Sequence, residues 1–571
     1  MQNKIWRYKN SGLTTEKISA FAQQNHVPHV IAAILLNRGI QTEAQVKAYL
    51  QKSLECVHNP NLLNDMEQAA ARILTAINNH EKIVIYGDYD VDGITSTALL
   101  YKFLKKEGAD VEYYIPDRLS EGYGINIMAI NKISRSGAKL LITVDCGITA
   151  VGEIELAKAQ KMDVIVTDHH TCKEKLPDAT AVINPKRPDS TYPFDALAGV
   201  GVAFKLALAV TMALGKSTKA CFDEYVELAA IGTIADVVTL LDENRVIVDR
   251  GLKQLQHTGN VGIKALIDVA GVKNIDASAV AFFLSPRLNA AGRLGAAQSA
   301  VQLLLCEDAQ EAYLAAQNLN EENRQRQMTE QKILEEAQAM IAGDPNFELK
   351  KVIVLAKEGW HHGVIGIVAS RLCEKFTKPC ILLACENGVA KGSGRSVGSF
   401  NLFEALSACE DLLTNFGGHA MAAGVGLNTT ELDAFAAKIN KYADAHMAPE
   451  DLVKQIDIDC SISPSSITLE NARLLLHLEP FGMGNEKPVF ASRGLRIHAI
   501  NTMGIDNKHL RVRLSHKNKN IQAVGFHMGA YSAGFKEGDL VDIVYTMDIN
   551  SYQGNEQVQL LLKDIKHSGR G

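Results

Sequence analysis

Short apolar runs that end abruptly in acidic residues dominate the pattern of the first half of the chain. Three such runs occupy residues 83–87, 140–144 and 164–167. The polar residues that follow them are Asp88, Asp90 and Asp92; Asp145; and Asp168, His169 and His170. Runs of this length that alternate with helical patterns up to about residue 245 predict a mainly parallel sheet with helices on both faces.

The second half of the chain changes its periodicity twice. Residues 309–319 and 321–342 are rich in Gln, Glu and Ala, and they predict a long helical stretch that ties two domains together. An ordinary surface helix of the first domain is the alternative. Strand and helix patterns then resume over 350–445, which predicts a second α/β domain.

The C-terminal region predicts a small β-barrel. Its short alternating runs lie at 495–498, 510–514, 521–524, 541–545 and 557–560. About five short strands with polar turns are typical of an OB-fold. The predicted fold class is therefore α/β, with two α/β domains joined by a long helix and followed by an OB-like β-barrel. The predicted domains are an N-terminal helical cap (1–50), a first α/β domain (51–305), the connecting helix (306–345), a second α/β domain (346–448) and the barrel (449–571).

Composition and charge narrow the class of protein. A chain of 571 residues exceeds the size of one hydrophobic core, so several domains are expected. The net charge of −6 excludes a generally basic nucleic-acid-binding coat, but not a local basic groove. The 10 cysteines include no Cys-x-x-Cys pair, so they predict reduced thiols and neither a disulfide framework nor a zinc site.

The sequence shows no recognisable targeting or membrane segment. Residues 1–8 lack the apolar core of a signal peptide. The most hydrophobic region, 196–215, carries Lys205 and several glycines, and it predicts a buried helix in preference to a membrane span. We therefore expect a cytoplasmic protein.

The acidic ends of the apolar runs predict a metal site. In an open α/β sheet, ligands bind at the carboxyl ends of the strands. Carboxylates gathered there repel one another and lose hydration unless a cation holds them. One such segment alone fits a solvated acidic turn equally well, but three segments, with Asp236 after a further apolar stretch, indicate one site. Carboxylates with imidazole favour Mg²⁺ or Mn²⁺.

The order of these motifs resembles that of a known enzyme family. Asp90-x-Asp92, Asp145, Asp168-His169-His170 and Asp236 resemble, in that order, the four motifs of the DHH phosphoesterase superfamily. Residues 87–97, Gly-Asp-Tyr-Asp-Val-Asp-Gly-Ile-Thr-Ser-Thr, are most similar to the RecJ branch, the single-stranded-DNA-specific 5′ exonucleases. Residues 285–293, 392–396 and 417–419 also resemble that branch, so the resemblance extends from about residue 45 to the C-terminus.

The resemblance implies a two-ion site for Mn²⁺ or Mg²⁺. The ligands it implies are Asp90, Asp92, Asp145, His169 and Asp236. Asp145 ends a central strand and is placed to bridge two ions. Asp88 is either a further ligand or supports one, because some branches carry a histidine where this chain has Tyr86. His170 either binds the second ion or contacts the scissile phosphate, and Asp168 orients a histidine.

Arginines outside these motifs are candidates for phosphate contacts. Arg287 and Arg293 bracket an expected turn that contains Asn289, and arginine suits bidentate binding of phosphate. The resemblance implies that these residues hold DNA or neutralise the scissile phosphate. A pair of surface or interdomain salt bridges is the alternative. Arg118, in the loop after the second strand, would assist in holding the substrate's end.

A glycine-rich segment in the second α/β domain suggests recognition of the substrate's end. Its sequence, Gly-Ser-Gly-Arg-Ser, offers a flexible backbone, two hydroxyls and a guanidinium that suit a phosphate. With Gly418 and His419 it resembles the DHH-associated domain, which in the RecJ branch recognises the 5′ end. The resemblance implies that Ser393 and Arg395 bind the 5′ phosphate and that His419 faces the active site; a structural role for His419 is the alternative.

A basic hairpin in the barrel is a candidate nucleic-acid surface. Arg511 and Arg513 share one strand face by period-two alternation, and they lie close to several lysines and histidines. Such a hairpin suits the backbone of a single strand, and a merely solvated strand is the alternative. Aromatic residues make up only 6% of the chain, and no stacking platform is obvious.

Taken together, these features predict a Mn²⁺- or Mg²⁺-dependent exonuclease that degrades single-stranded DNA from its 5′ end to 5′-mononucleotides. Polarity, DNA preference and work in recombination and repair come from the resemblance. So do the expected partners, a single-strand-binding protein and a RecQ-type helicase; a monomer is the default. The first rival class comprises an oligoribonuclease, a phosphatase for 3′-phosphoadenosine 5′-phosphate and a cyclic-dinucleotide hydrolase, and the long helix and barrel argue against it. The second rival is an inactive scaffold protein, and the complete ligand set argues against it.

Overall fold

The chain folds into two compact units, seen in a computed structural model that describes residues 4–9, 12–117, 121–122, 124–293, 297–517, 519–552 and 554–569. The central unit comprises Ala44–Gln325 and Leu478–Lys487. The flanking unit comprises Met1–Glu43, Arg326–His477 and Pro488–Gly571. Within the described ranges, no helix has the combined length and apolar character that crossing a bilayer requires.

The N-terminal region begins with a strand that the sequence did not predict. Its elements are β1 (Ile5–Tyr8), α1 (Thr15–Gln24), α2 (His29–Asn37) and α3 (Glu43–Gln51). The three helices agree with the predicted helical cap. The strand, however, pairs in parallel with Gln455–Ile458, and its partner lies 450 residues away in the sequence. A four-residue run carries no local signal for a partner so distant, so the prediction of helices alone for residues 1–50 was wrong at this strand.

The central unit is built around a five-stranded parallel sheet. Its elements in chain order are α4 (Met66–Asn78), β2 (Ile83–Gly87), α5 (Val91–Lys106), β3 (Val111–Tyr114), α6 (Ile127–Arg135), β4 (Leu140–Val144), α7 (Val151–Ala159), β5 (Asp163–Thr167) and β6 (Ala181–Ile183). The strand order is β3-β2-β4-β5-β6, and every pair is parallel. The strand order therefore reverses beside β2, so the crevice at the carboxyl ends of β2 and β4 is the expected ligand site.

Helices cover both faces of this sheet, as predicted. All five residues of β2 are buried, which is typical of a central parallel strand. Ile83 and Ile85 point into a core shared with α4, α5 and the later helices, while Val84 and Tyr86 point into a core shared with α6 and α7. Each fully buried aliphatic side chain of this kind contributes about 1.5–3 kcal/mol of transfer free energy.

After β6 the central unit is helical. The helices are α8 (Gly199–Ala213), α9 (Thr218–Ala235), α10 (Asp242–Leu255), α11 (Val261–Ala270), α12 (Ala277–Ala279), α13 (Ser285–Arg293) and α14 (Ala297–Leu305), with a π-helical turn at Val280–Leu284. The last helix, α15 (Ala309–Ala342), belongs to the central unit up to Gln325 and to the flanking unit from Arg326. The predicted buried helix in 196–215 is α8. Strand and helix alternation was expected to about residue 245, but the last strand of this sheet ends at Ile183. The two predicted helices at 309–319 and 321–342 form one continuous helix of 34 residues, about 51 Å long.

The flanking unit contains the second α/β sheet. Its elements are β7 (Ile353–Glu358), α16 (His362–Phe376), β8 (Cys380–Glu386), β9 (Val389–Arg395), α17 (Leu402–Ser407), β10 (Asn415–Gly418), β11 (Ala422–Asn428) and α18 (Leu432–His446). The strand order is β10-β11-β9-β8-β7, in which β7 and β8 are parallel and the other neighbours antiparallel.

The flanking unit also contains the C-terminal barrel. Its elements are β12 (Gln455–Ile458), β13 (Cys460–Ser461), α19 (Leu469–Leu475), β14 (Phe490–Met503), β15 (His509–His516), β16 (Lys519–Gly525), β17 (Leu540–Tyr552) and β18 (Asn555–His567). The order β14-β15-β16-β18-β17 closes because β17 also pairs with β14. A closed five-stranded barrel is the arrangement expected of an OB-fold. The predicted fold class, two α/β parts with a long helix between them in sequence and a C-terminal OB-like barrel, is confirmed.

A buried arginine joins three segments of the central unit. Arg245 on α10 is only 2% exposed, and its guanidinium lies 4.1 Å from the centre of the Tyr49 ring. Its Nε donates to the carbonyl of Tyr49 at 3.0 Å, and its Nη2 donates to the carbonyl of Leu478 at 2.9 Å. Because a guanidinium presents its donors in a rigid fork, one side chain satisfies both buried carbonyls.

We expect Arg245→Lys to lower the free energy of unfolding of the central unit by about 2 kcal/mol. An ammonium on a flexible stem cannot reach both carbonyls in the same geometry, so one buried acceptor loses its donor. Urea unfolding, with hydrogen exchange of residues 478–487, measures the effect. Arg250→Lys, at an exposed position of the same helix, is the control. Equal unfolding of Arg245→Lys and the wild type would contradict this account of the arginine.

Candidate metal centre

Three strands of the parallel sheet deliver acidic residues to the same edge. Asp88, Asp90 and Asp92 follow β2, Asp145 follows β4, and the Asp168-His169-His170 segment follows β5. These strands are hydrogen-bonded neighbours, so their carboxyl ends meet at the point where the strand order reverses. The predicted convergence of these segments is therefore present in the fold.

His169 lies at the centre of this cluster. Its Nε2 lies 3.2 Å from Oδ1 of Asp145, 3.6 Å from Oδ2 of Asp236 and 3.8 Å from Oδ2 of Asp92. Three sets of potential ligand atoms, each within 4.8 Å of one another, can be drawn from this cluster: Asp92, His169 and Asp236; Asp145, His169 and His170; Asp88, Asp90 and Asp145. The structure thus brings together all six predicted metal ligands, along with His170.

Asp236 reaches the cluster from a helix, whereas the other carboxylates follow strands. It caps the C-terminal end of α9, and its side chain is 22% exposed. The residue after it, Val237, has a φ of +61°. A β-branched residue rarely adopts this left-handed conformation, which costs about 1–3 kcal/mol and is held where surrounding structure imposes it. The strained residue ends the helix directly after the carboxylate.

Backbone amides fix the orientation of Asp92. Gly199 N donates to its Oδ2 at 2.6 Å, and Val200 N donates to its Oδ1 at 2.7 Å. Both amides belong to the first turn of α8, whose positive dipole end favours a carboxylate. A Cβ added at Gly199 would lie 2.5 Å from Oδ1 of Asp145, so only glycine lets the helix approach this closely. Asp90, in turn, caps α5 by accepting a hydrogen bond from Gly93 N at 3.1 Å.

Asp168 orients the neighbouring imidazole. Its Oδ1 accepts hydrogen bonds from the amides of His169 and His170 at 2.7 and 3.1 Å and lies 2.7 Å from Nδ1 of His170. Its Oδ2 accepts a hydrogen bond from Ile148 N at 2.9 Å. All its oxygens are engaged with protein groups, so Asp168 supports the site and lies outside the sets of potential metal ligands.

The buried carboxyls have strongly perturbed pKa values. Burial, followed by the charges of Asp236 and Asp90, raises the pKa of Asp92 well above its usual range. Burial and the neighbouring carboxylates raise the pKa of Asp145 in the same way. Burial and the charge of Asp90 raise the pKa of Asp236 to about 7. Each raised pKa indicates that these buried carboxyls are not readily ionised together unless a cation compensates their charge.

The two histidines are perturbed in opposite directions. Burial, assisted by the charge of His170, lowers the pKa of His169 to about 3, so its ring is neutral and suited to metal ligation. For His170 burial acts to lower the pKa, but the hydrogen bond and charge of Asp168 prevail and raise it to about 9. Adjacent residues thus offer a neutral ligand and a protonated imidazole.

The donor set fits a hard divalent cation. Oδ1 of Asp145 and Nε2 of His169 are buried and lie 3.2 Å apart, but they form no hydrogen bond with each other or with any other described residue. Such atoms are costly to bury unless something binds them. Asp145 also has a φ of +60°, a strained conformation that concentrates at functional sites. Carboxylate oxygens with imidazole suit Mn²⁺ or Mg²⁺.

The segment that carries Arg287, Asn289 and Arg293 is a helix, so the predicted turn was wrong. It forms α13 because its apolar residues, among them Leu288 and Ala291, are buried on one side. Arg287 donates from Nε to Oδ1 of Asn320 at 3.0 Å and from Nη1 to the carbonyl of Phe283 at 2.6 Å. Neither bond is a salt bridge, and burial lowers the pKa of Arg287.

Close packing connects this helix to the metal loop. A Cβ added at Gly292 would lie 2.2 Å from the carbonyl oxygen of Tyr89, the residue between Asp88 and Asp90. The C-terminal end of α13 therefore lies against the backbone of the acidic loop. Arg118, the other predicted arginine of this region, lies outside the described residues.

The glycine-rich segment with Ser393 and Arg395 is the strand β9, so the predicted flexible turn was also wrong. Pairing on both sides, with β8 and β11, makes its glycine-rich sequence a strand. Both side chains lie on one face, and Arg395 donates from Nη1 to Oγ of Ser393 at 3.0 Å. A Cβ at Gly366 of α16 would lie 2.9 Å from Oγ of Ser393 and 3.1 Å from Nη2 of Arg395. The serine–arginine pair therefore lies against the N-terminal part of a 15-residue helix.

The remaining predicted residues lie on exposed parts of the flanking unit. Gly418 ends β10 with a φ of +140°, and the amide of His419 donates to the carbonyl of Ala422 at 2.8 Å. Arg511 and Arg513 lie on the exposed face of β15, and Val512 between them is buried. The predicted sharing of one face by these two arginines is present in the structure.

Sequence reasoning missed several residues that shape the metal centre. Asn184, after β6, donates from Nδ2 to the carbonyl of His170 at 2.9 Å and accepts from the amide of Lys186 at 2.8 Å. The Lys186 charge acts to lower the pKa of both Asp236 and His169. The Gly-Val-Gly start of α8 was a visible signal for Gly199, whereas Asn184 and Lys186 follow a short strand with no motif of their own.

Comparison with known proteins places these features in a family. The DHH family N-terminal domain matches residues 82–233, the DHHA1 domain matches 349–445, and the RecJ OB domain matches 458–564. The single-stranded-DNA-specific exonuclease RecJ of Bacillus subtilis is 41% identical over 553 residues, which span 96% of this chain and 69% of that protein. The crystal structures of Thermus thermophilus RecJ in complex with Mn²⁺ and with Mg²⁺ superpose with TM-scores of 0.83 and 0.78 at 32% and 31% identity. Each match covers 98% of this chain, and 79% and 78% of the respective structures.

Proposed function

The chain belongs to the RecJ family of the DHH superfamily, and from this premise we propose that it is a metal-dependent exonuclease that degrades single-stranded DNA from its 5′ end to 5′-mononucleotides. The observation that carries the proposal is the buried cluster of carboxylates around His169 at the edge of the parallel sheet. The relatives are named as exonucleases specific for single-stranded DNA, and Mn²⁺ and Mg²⁺ complexes exist for one of them. Their similarity in fold and in sequence, over almost the whole of this chain, supports the same chemistry here.

We propose that Asp88, Asp90, Asp92, Asp145, His169 and Asp236 would hold the divalent cations. The chemistry that divalent cations supply when bound is neutralisation of phosphate charge and a water that attacks phosphorus at neutral pH. The chain's own contribution is preorganisation. Amides of α8 hold Asp92, and Asp168 holds His170, so the groups that receive the phosphodiester are fixed before it arrives.

The positively charged groups of the central unit contact phosphates of the substrate. His170, hydrogen-bonded through Nδ1 to Asp168, is held as an imidazolium that contacts the scissile phosphate. Arg287 and Arg293 lie on α13, whose end packs against the metal loop, and with Asn289 they bind phosphates that follow the scissile one. On the flanking unit, Arg511 and Arg513 bind the strand's backbone, and Gly418 and His419 contact the DNA.

We propose that Ser393 and Arg395 recognise the 5′ phosphate. The pair combines a hydroxyl and a guanidinium that are already hydrogen-bonded to each other. The pair lies against Gly366, in the second turn of α16. A guanidinium and a hydroxyl held side by side are suited to a terminal phosphate.

Digestion of end-labelled single-stranded DNA tests the proposed activity. With Mn²⁺, a 5′ label is expected to appear early as mononucleotide, while the 3′ label stays on shortening strands. EDTA and a matching duplex should both abolish the release. Early loss of the 3′ label would contradict the proposed polarity. Intact DNA beside hydrolysed short RNA or cyclic dinucleotide would show a different phosphoesterase.

We expect Arg395→Lys to lower the preference for a 5′-phosphorylated strand over a 5′-hydroxyl strand by about 10-fold. Lysine keeps the charge but loses the planar fork that binds phosphate through two hydrogen bonds. Initial rates on the two strands, measured side by side, give the preference. Lys391→Arg, at an exposed position of the same strand β9, is the control. Equal slowing on both strands would argue against a role at the terminal phosphate.

We further propose a cytoplasmic monomer that works in recombination and repair beside a single-strand-binding protein and a RecQ-type helicase. The ten cysteines are all free thiols, which supports a reducing compartment. Sedimentation at micromolar concentration tests the oligomeric state, and co-purification tests the partners.

A further inference from the structure

Two adjacent phenylalanines are exposed beside α13. The side chains of Phe282 and Phe283 are 75% and 50% exposed, whereas the next residue, Leu284, is fully buried. Both lie in the π-helical turn Val280–Leu284 that precedes α13. Large rings left in water at neighbouring positions are costly to expose, so they indicate a surface that binds something.

The π-helical turn has a local cause. Ser285 N donates to the carbonyl of Val280, five residues back, in place of the four of an α-helix. Pro286 follows, and in an α-helix its ring would clash with the carbonyl of Phe282 and leave that carbonyl without its donor. The wider turn accommodates the proline, and such turns occur often at functional sites.

The same helix connects the two rings to the metal loop. Gly292, near the C-terminal end of α13, packs against the carbonyl of Tyr89 between Asp88 and Asp90. Phe283 lies nine residues before it, which is about 14 Å along the helix at 1.5 Å per residue. At the rise of about 3.4 Å per nucleotide found along one strand of stacked duplex DNA, this distance corresponds to about four nucleotides.

Arg287 lies on the helix between the rings and the metal loop. It lies one helical turn after Phe283, and its Nη1 donates to the carbonyl of Phe283 at 2.6 Å. Burial lowers its pKa, but arginine stays protonated at neutral pH. Proteins hold an unpaired strand by combining positive charges that contact its backbone with aromatic rings that stack on its bases. Arg287 and the two exposed rings offer this combination.

We propose that Phe282 and Phe283 form a stacking platform for unpaired bases about four nucleotides beyond the scissile phosphate. The ligand is a single strand of DNA, because stacking requires bases whose faces are not already covered in a duplex. The platform accepts any base, since every base presents a flat face to the rings. This inference rests on the proposed exonuclease function and adds a site to it.

Binding of short strands tests the platform. In EDTA, we expect Phe282→Ala/Phe283→Ala to weaken binding of a 12-nucleotide single strand by about 10-fold or more and to leave a 3-nucleotide strand unchanged. An abasic site is then moved along the 12-mer. In the wild type one position near the fourth nucleotide should lower affinity most, and in the double variant that position should lose its effect. Fluorescence anisotropy of a 3′-labelled strand measures both.

Two further variants separate stacking from other causes. Phe282→Leu/Phe283→Leu keeps apolar side chains but removes the rings, and it should behave like the alanine variant. Leu349→Ala, at a 79% exposed apolar position, should bind as the wild type does. An unchanged 12-mer affinity, or a loss that is equal at every abasic position, would overturn the platform. If the platform fails while the wild type still digests DNA, the proposed exonuclease stands; if the wild type digests no DNA, the proposed function fails.

Discussion

Asp145→Asn is expected to lower the exonuclease rate by at least about 10³-fold while making the cation-free protein more resistant to heat. A neutral amide would be a poorer ligand for a divalent cation than a carboxylate, and several kcal/mol of transition-state stabilisation would be lost with it. The same change removes one charge from a buried cluster in which burial and neighbouring carboxylates already raise the pKa of this residue. Asparagine tolerates the φ of +60° at this position, so the backbone is kept.

Thermal unfolding with and without Mn²⁺ measures the expected change in stability. The wild type should gain stability as Mn²⁺ is added, by about 2.7 kcal/mol at 100 times the dissociation constant. Without Mn²⁺ the variant should unfold at a higher temperature than the wild type, and added Mn²⁺ should increase its stability only slightly. Asp110→Asn, at an exposed position before β3 and so at the opposite end of the sheet, should leave rate and Mn²⁺ response as in the wild type. A variant that keeps its activity, or one that unfolds without cation as easily as the wild type, would contradict the role assigned to Asp145.

Lys205→Met should destabilise the central unit by about 3–5 kcal/mol, because it leaves a buried carboxylate without its cation. Lys205 on α8 and Glu243 on α10 are both fully buried, and their Nζ and Oε2 atoms lie 2.5 Å apart. The ammonium also donates to the carbonyl of His58 at 2.6 Å, and Tyr192 donates from its hydroxyl to Oε1 of Glu243 at 2.5 Å. Burial lowers the pKa of Lys205, against the opposing charge of Glu243.

The double variant Lys205→Met/Glu243→Leu distinguishes a lost partner from lost packing. Replacing both charges by apolar groups should recover part of the stability that the single variant loses, because the buried carboxylate is gone while the Tyr192 hydroxyl and the His58 carbonyl still lack their partners. Lys253→Met provides the control, since its ion pair with Asp249 spans 2.6 Å but its side chain is 69% exposed. That exposed pair should contribute less than about 1 kcal/mol. Urea unfolding, with hydrogen exchange in α8 and α10, measures the stability of the single variant, the double variant and the control. A single Lys205→Met variant as stable as the wild type would exclude a buried charge pair.

Much of the metal centre could be predicted because its ligands follow strands. A central parallel strand is an uninterrupted apolar run, and its end is marked in the sequence by the first polar residue. The runs before Asp88, Asp145 and Asp168 therefore gave both the sheet and the edge where it binds a ligand. Asp236 was predicted from the family resemblance as well as from its apolar run, which turned out to belong to a helix.

The elements that were predicted wrongly depend on contacts that are distant in sequence. Strand β9 is rich in glycine and has no strand propensity of its own, so pairing with β8 and β11 decides its conformation. Helix α13 contains Pro286, Asn289 and Gly292, residues that usually mark turns. Packing of its apolar side makes the segment helical instead. The amides of α8 that hold Asp92 are backbone groups, which no pattern of side chains can identify.

The parallel pairing of β1 with β12 has a consequence for how the chain is made. Strand β1 cannot pair until some 450 further residues have been translated, which takes roughly 20–90 s at about 5–20 residues per second. The central unit lies almost entirely within that interval and contains its own sheet and cores. Nascent chains would therefore form the parallel sheet and most of the central unit before β1 finds its partner. A ribosome stalled before residue 455 would carry a folded sheet and an unpaired β1.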